Sequence, residues 1–308
     1  MERAIEFILN GERRTVSSVA PTTTALDWLR TAEFARGTKE GCAEGDCGAC
    51  TIVLGEADGG RMRYRAVNSC LVMLGQLAGK HVLTVEGLVD ADGTPHAVQE
   101  ALVETDGSQC GFCTPGFVMS MFAFFHSGED TDDESTIHDM LAGNLCRCTG
   151  YRPIVDAVKR AAKADGDRFA ADESGMLESL GALPGTTGEV YEYASQAFHA
   201  PRTLNELLAL RAEHPDAYIL AGGTDLGLLV SKERRKLKTV IHVTGVDELR
   251  YARRTPSHLE IGAAATYADA LGEIEALYPS MAAMIRRIGS RQIRNLGKIG
   301  RASCRERV

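Results

Sequence analysis

Eight of the nine cysteines in this 308-residue chain fall into two sets of four. The first set is Cys42, Cys47, Cys50 and Cys70, three of them within GCAEGDCGAC at residues 41–50. A C-x4-C-x2-C run with a further cysteine downstream supplies four thiolates at a spacing that holds an iron–sulfur cluster. A structural zinc site is the alternative. Zinc motifs pair cysteines as two C-x2-C knuckles, whereas four residues separate Cys42 from Cys47 and each has a glycine neighbour. The second set is Cys110 and Cys113 as C-x2-C, then Cys146 and Cys148 as C-x-C. Both pairs lie just before predicted helix starts at Pro115 and Pro153. Helix N-termini offer unpaired amides and partial positive charge, which favour thiolate over thiol and steady an anionic cluster. A thioredoxin-like C-x2-C would leave Cys146 and Cys148 unused and would need a βαβ setting that this region lacks. Two clusters on one chain point to electron transfer.

Composition narrows the setting. Hydrophobic residues make up 44% and charged residues 25%, ordinary for a globular protein long enough for two or three domains. A net charge of -8 argues against a nucleic-acid partner held through phosphates. The sequence shows no apolar run of membrane-spanning length and no basic-then-apolar leader over residues 1–11. Cysteines in such a chain read as metal ligands of a reducing, cytoplasmic compartment rather than disulfides. Only Cys304 is left over.

The elements that must position these thiols follow in order. Residues 4–9 and 13–17 are predicted strands joined by an Asn10-Gly11 type I′ turn, and Thr24 caps a helix that buries Leu26, Trp28 and Leu29. Strands at 51–54, 62–67 and 82–85 complete a small β-rich unit. From Pro95 the period turns helical. One helix carries Val98, Ala101 and Leu102. The next is capped by Thr114 with Pro115 at N1 and bears a core stripe of Phe117, Val118, Met121, Phe122 and Phe125. A third is capped by Ser135 and a fourth opens at Pro153, which together predict a small four-helix bundle. Residues 164–187 are rich in Gly, Ala, Asp and Ser and read as a linker. Beyond it the pattern is α/β. A Thr203/Glu206 capping box opens a helix, residues 218–221 form a strand, and residues 225–236 form a helix. A strand at 239–243 and a hairpin of 249–254 with 258–261 follow.

EGCAEGDCGACT, Cys70 in NSCL, QCGFCTPG and GNLCRCTGY together resemble the iron–sulfur half of the molybdenum hydroxylases, in the order and spacing of the xanthine dehydrogenase family. The resemblance covers nearly all of residues 1–297. It implies an α+β multidomain chain. A β-grasp plant-type [2Fe–2S] ferredoxin domain spans 1–88 and a four-helix-bundle [2Fe–2S] domain 89–165. A linker at 166–189 precedes the start of an α/β FAD-binding domain at 190–297. It also implies a hetero-oligomer in which a large subunit holds molybdopterin and oxidises hypoxanthine or xanthine. Electrons would pass through both clusters to FAD and on to NAD. The bundle cluster would lie nearest the molybdopterin, with Gln109 facing that interface; otherwise Gln109 is a polar loop residue. The alternatives are a ferredoxin-like carrier, or the small subunit of a relative such as an aldehyde oxidoreductase.

Residues 220–228, LAGGTDLGL, read as a strand, a glycine turn and a helix N-terminus, an anion-binding arrangement that is also common as a bare turn. Beside the cluster motifs it resembles the family's first FAD pyrophosphate loop. Gly222, Gly223, Thr224, Asp225 and Leu226 carry over, with Leu220 and Ala221 flanking. GSRQIRNLG at 289–297 resembles the approach to the second glycine loop; Arg286, Arg287, Arg291 and Arg294 are otherwise solvated charges. The family continues Thr-Ile-Gly-Gly-Asn, whereas this sequence runs on as KIGRASCRERV. That ending looks like a translated sequencing adapter, so 298–308 is expected to be non-native, the flavin site incomplete and the fragment alone inactive. A genuine short protein with an arginine-rich tail is the other reading.

Overall fold

The computed structural model describes residues 4–183 and 190–299, so Cys304 and most of the tail lie outside the described residues. The first unit is a five-stranded sheet in the order β2-β1-β5-β3-β4. Its strands are β1 (Ile5–Leu9), β2 (Glu12–Val16), β3 (Thr51–Asp58), β4 (Arg61–Asn68) and β5 (His81–Leu83). Asn10 and Gly11 both adopt positive φ, which a type I′ hairpin requires. The hairpin is antiparallel, and β1 runs parallel to β5. Helix α1 (Ala25–Thr31) is capped by the Thr24 side chain and buries Leu26, Trp28 and Leu29; Trp28 meets Phe7 edge-on at 5.3 Å. β3 and β4 outrun the expected strands because their pairing continues to Asp58 and Arg61.

Helices α2 (Ala97–Glu104), α3 (Thr114–Phe125), α4 (Glu134–Leu141) and α5 (Arg152–Ala161) follow. They pack on one another as the expected bundle, and α3 packs on the sheet as well. Residues 116–124 of α3 are all buried, because this helix is central and shares one core with Val53, Met62, Tyr64 and Ala66 of the sheet. A helix apolar all round belongs in such a position. Two caps differ from expectation. Cys113, not Thr114, occupies the N-cap of α3, and the Thr114 hydroxyl bonds that of Ser108 at 2.7 Å. Asp133, not Ser135, caps α4, its carboxylate accepting from the amides of Ser135 and Thr136.

The expected linker is largely structured. It carries α6 (Arg168–Ala171) and α7 (Glu173–Gly181), Phe169 is buried in the helical core, and Glu173 accepts from the amide of Met62 at 2.8 Å. Asp167 caps α6 and accepts from His96 Nε2 at 2.5 Å and His126 Nε2 at 2.7 Å. Burial works to raise the Asp167 carboxyl, but the hydrogen bonds from His126 and His96 outweigh it and hold the group below its usual range. Its contribution to stability is therefore present above the unfolded value of about 4 and is lost as pH falls through the depressed folded value. Asp167→Asn is expected to lower unfolding free energy by about 1–3 kcal/mol at neutral pH. The gap between the proteins should close in strong acid. Denaturant titrations followed by circular dichroism across pH check both.

The last unit contains β6 (Val190–Tyr193), β7 (Gln196–His199), α8 (Leu204–Glu213), β8 (Tyr218–Leu220), α9 (Leu226–Ser231) and β9 (Thr239–His242). The strand order is β6-β7-β9-β8, with β7, β9 and β8 parallel. The Thr203/Glu206 capping box is formed at α8. The expected helix over 225–236 is shorter, ending at Ser231. The β10 (Ala252–Arg254) and β11 (Leu259–Ile261) hairpin and helices α10 (Tyr267–Leu277), α11 (Pro279–Ile285) and α12 (Arg291–Arg294) complete it. Arg294 is buried rather than solvated, paired with Asp139 of α4 and donating to the carbonyls of Arg286 and Gly289. Arg291 reaches Glu129 and Asp139. These pairs bind the last unit to the helices.

Candidate functional site

The loop between α1 and β3 brings Cys42, Cys47 and Cys50 to the turn after β4 that carries Cys70. Cys50 and Cys70 lie with their sulfurs 3.3 Å apart. The amides of Glu44, Asp46 and Cys47 point at Cys42 Sγ from 3.3–3.4 Å, and the amide of Cys42 points at Cys47 Sγ from 3.4 Å. Burial pushes the Cys42 thiol up, but these amides together bring it below its ordinary value. The hydrogen bond between Cys50 and Cys70 lowers Cys50 to about 7 and raises Cys70, on which Cys42 also acts electrostatically. Amides aimed at sulfur stabilise thiolate and tune a cluster's potential.

The second quartet gathers where α3 and α5 begin. The sulfurs of Cys110 and Cys148 are 3.7 Å apart. Burial pushes Cys113 up to about 12, with hydrogen bonding to Cys146 adding to it. Burial also acts to raise Cys146, but the hydroxyl and amide of Thr149 reverse the direction. The Tyr151 hydroxyl accepts from the Cys146 amide at 2.9 Å. All eight cysteines of the two sets are free thiols. Two sets of converging thiols, each served by amide or hydroxyl donors, fit iron–sulfur clusters. Cys110 and Cys148 are exposed, as is Gln109, amid the half-exposed side chains of Phe112, Leu145 and Tyr151. The first set is more enclosed, and the loops touch directly: the Leu145 amide donates to the Cys47 carbonyl at 3.0 Å.

The glycine segment lies beside the first set. Leu220 ends β8, residues 221–225 turn, and Leu226 opens α9. Gly222 runs so close to the chain at Leu296 that a Cβ would sit 1.8 Å from that carbonyl oxygen. Gly223 has φ of +84°, and a Cβ there or on Gly227 would press within 3 Å of the Leu71 carbonyl. Gln76 Nε2 donates to the Ala221 carbonyl at 3.4 Å. Leu71 adjoins Cys70 and shares an apolar cluster with Cys50, Cys70, Leu228 and Ile293. Leu71, Gln76, Leu228 and Ile293 were not singled out from the sequence, since each reads as ordinary core or loop until the two units are docked.

A third cluster of ligand-type groups behaves differently. His96, His126 and Asp167 place three potential ligand atoms within 4.8 Å of one another. His96 Nδ1 accepts from the Val98 amide at 3.2 Å, so its proton is on Nε2 and points at Asp167. A protonated nitrogen cannot ligate a metal, and the trio is a hydrogen-bonded clamp.

Residues 7–74 match the family described as a 2Fe-2S iron-sulfur cluster binding domain, and residues 84–159 match a [2Fe-2S] binding domain. Residues 192–301 match the FAD binding domain in molybdopterin dehydrogenase. That succession, with two converging quartets of thiols ahead of a flavin-binding unit, is the order of the electron-transfer portion of the molybdenum hydroxylase family. Within it, the chain corresponds to the iron–sulfur and FAD-binding region of the xanthine dehydrogenases. It is 32% identical to xanthine dehydrogenase 1 of Arabidopsis thaliana over 85% of this chain and 23% of that protein. It is also 32% identical to aldehyde oxidase 2 of Rattus norvegicus, over 96% of this chain and 26% of that protein. The aldehyde oxidoreductase structure from Desulfovibrio desulfuricans is 36% identical, covering 53% of this chain and 17% of that chain, with a TM-score of 0.45. The chain thus spans about a quarter of the curated relatives it matches. Among the described residues, no helix is long and apolar enough to cross a membrane.

Proposed function

We propose that the chain is the electron-transfer part of a cytoplasmic, hetero-oligomeric xanthine dehydrogenase. It takes electrons released when a molybdopterin-bearing partner oxidises hypoxanthine or xanthine, and delivers them to NAD. When bound, two [2Fe–2S] clusters supply one-electron carriers and FAD pairs those electrons for a two-electron acceptor. Cys42, Cys47, Cys50 and Cys70 hold one cluster, and Cys110, Cys113, Cys146 and Cys148 the other. Residues 220–226 cradle the flavin pyrophosphate, where glycine backbone admits close approach. The observation that carries this reading is the direct contact of the three sites: Leu145 amide to Cys47 carbonyl on one side, Leu71 against Gly223 and Gly227 on the other. The exposed rim around Cys110 and Cys148, with Gln109 beside it, is where the partner docks.

The complex carrying this chain, purified from its source, is expected to reduce NAD when given hypoxanthine or xanthine. Cys113→Ser should remove one of two reduced-cluster signals and stop turnover. Aldehyde oxidation with no purine oxidation would refute the substrate assignment and favour the aldehyde-oxidising alternative.

A further inference from the structure

The two cluster-binding loops are joined through a buried polar knot whose central residue comes from the flavin-binding unit. Gln292 of α12 is fully buried. Its Nε2 donates to Asn144 Oδ1 at 2.9 Å and to Ser120 Oγ at 3.1 Å, with Thr51 Oγ1 at 3.4 Å. Asn144 Nδ2 in turn donates to the Gly48 carbonyl at 3.1 Å and reaches Thr51 Oγ1 at 3.3 Å. Thr51 also donates to the Gly48 carbonyl, at 2.6 Å, and Ser120 donates to Asn144 Oδ1 at 2.6 Å. Because the Gly48 carbonyl can only accept, Asn144 must present its amino group there and its oxygen to Gln292 and Ser120. That fixes both carboxamides. Gln292 Oε1 lies against Gly143, where a Cβ would come within 1.9 Å of it, and among the described residues it has no hydrogen-bond partner. A buried amide oxygen without a protein partner is a cost that calls for a reason.

The placement supplies one. Gly48 lies between Cys47 and Cys50, Thr51 follows Cys50, Asn144 stands two residues before Cys146, and Ser120 is on the helix that Cys113 caps. We propose that Gln292 is a positioning residue that sets the separation of the two cluster-binding loops, so that docking of the flavin unit tunes coupling between them. This rests on the proposed function, because it presumes that both quartets are loaded.

The test uses the full chain, purified anaerobically with both clusters and reduced with dithionite. Electron paramagnetic resonance at low temperature reads the spin–spin splitting between reduced clusters, which depends steeply on their separation. Gln292→Leu, similar in volume but without donors, is expected to keep its iron and to shift that splitting. Ser120→Ala should shift it in the same direction by less, and stands in if Gln292→Leu loses iron. Ile274→Ala empties part of the flavin-unit core away from both loops and should lower stability while leaving the splitting unchanged. Parent splitting in iron-replete Gln292→Leu, or in Ser120→Ala where that variant stands in, would overturn the proposal. So would an equal shift in Ile274→Ala, since any loss of packing would then produce it. A parent chain lacking two clusters would fail earlier, and would overturn the functional reading itself.

Discussion

Gly48→Ala is expected to strip the chain of iron while leaving the five-stranded and four-stranded sheets folded. Gly48 has φ of +69°, and a Cβ built on it would meet the Gly143 carbonyl oxygen at 2.1 Å and Asn144 Cα at 2.9 Å. Both are backbone atoms, so no side chain can swing away. The left-handed conformation costs alanine about 1–2 kcal/mol. Relieving the overlap costs about 1–3 kcal/mol more. With backbone on both sides the relief is separation of the loops, which would break the Leu145-to-Cys47 hydrogen bond and spread both sets of thiols. Iron content and unfolding midpoint, measured together, check this. Parent iron with parent stability would show that the loops are not held as tightly as the contact requires.

Phe122→Ala is expected to cost about 3–5 kcal/mol, the usual loss for a buried phenylalanine. Phe122 is fully buried at the centre of an aromatic group. Its ring centroid is 4.5 Å from that of His126, 4.8 Å from Phe169, 5.3 Å from His96 and 5.4 Å from Tyr64. Truncation therefore loosens α3, the sheet face at Tyr64 and the clamp at Asp167 together. Domains are stable by only about 5–15 kcal/mol, so the helices and the sheet face that share this core should open well before the sheet's other core, around Phe7, Trp28 and Leu54. Heating should bleach the signal of the second quartet first, because Cys113 caps the same helix. Simultaneous loss of both signals at the parent temperature would contradict that order.

How much of this could be read from the residues alone depends on how local each signal is. The Asn10-Gly11 turn, the Thr24 cap and the Thr203/Glu206 box are set by neighbours in sequence, and the structure forms all three. Both cysteine sets were visible because ligand type and spacing are local features, even though the thiols converge only in the fold. Asp133 was missed as a cap because Ser135, equally suited by type, stands two residues later. Residues 164–187 looked like a linker because Gly, Asp and Ser dilute their apolar spacing; only Phe169, Met176, Leu177 and Leu180, packed on the helical core, reveal otherwise. Arg294 read as a solvated charge and Gln292 drew no reading of its own, since a polar residue's burial depends on partners such as Asp139 and Asn144 about 150 positions away. A polar pair interrupted by isoleucine within GSRQIRNLG, where Ile293 packs against the first quartet, was the one available hint.

The central claim is that eight cysteines of this chain hold two separate iron–sulfur clusters. Anaerobic purification followed by iron, acid-labile sulfide and zinc determination, with electron paramagnetic resonance of the reduced protein, tests it most directly. The account predicts about four iron atoms and about four sulfides per chain, in two resolvable signals. A single signal, or zinc in place of iron at either quartet, would contradict it.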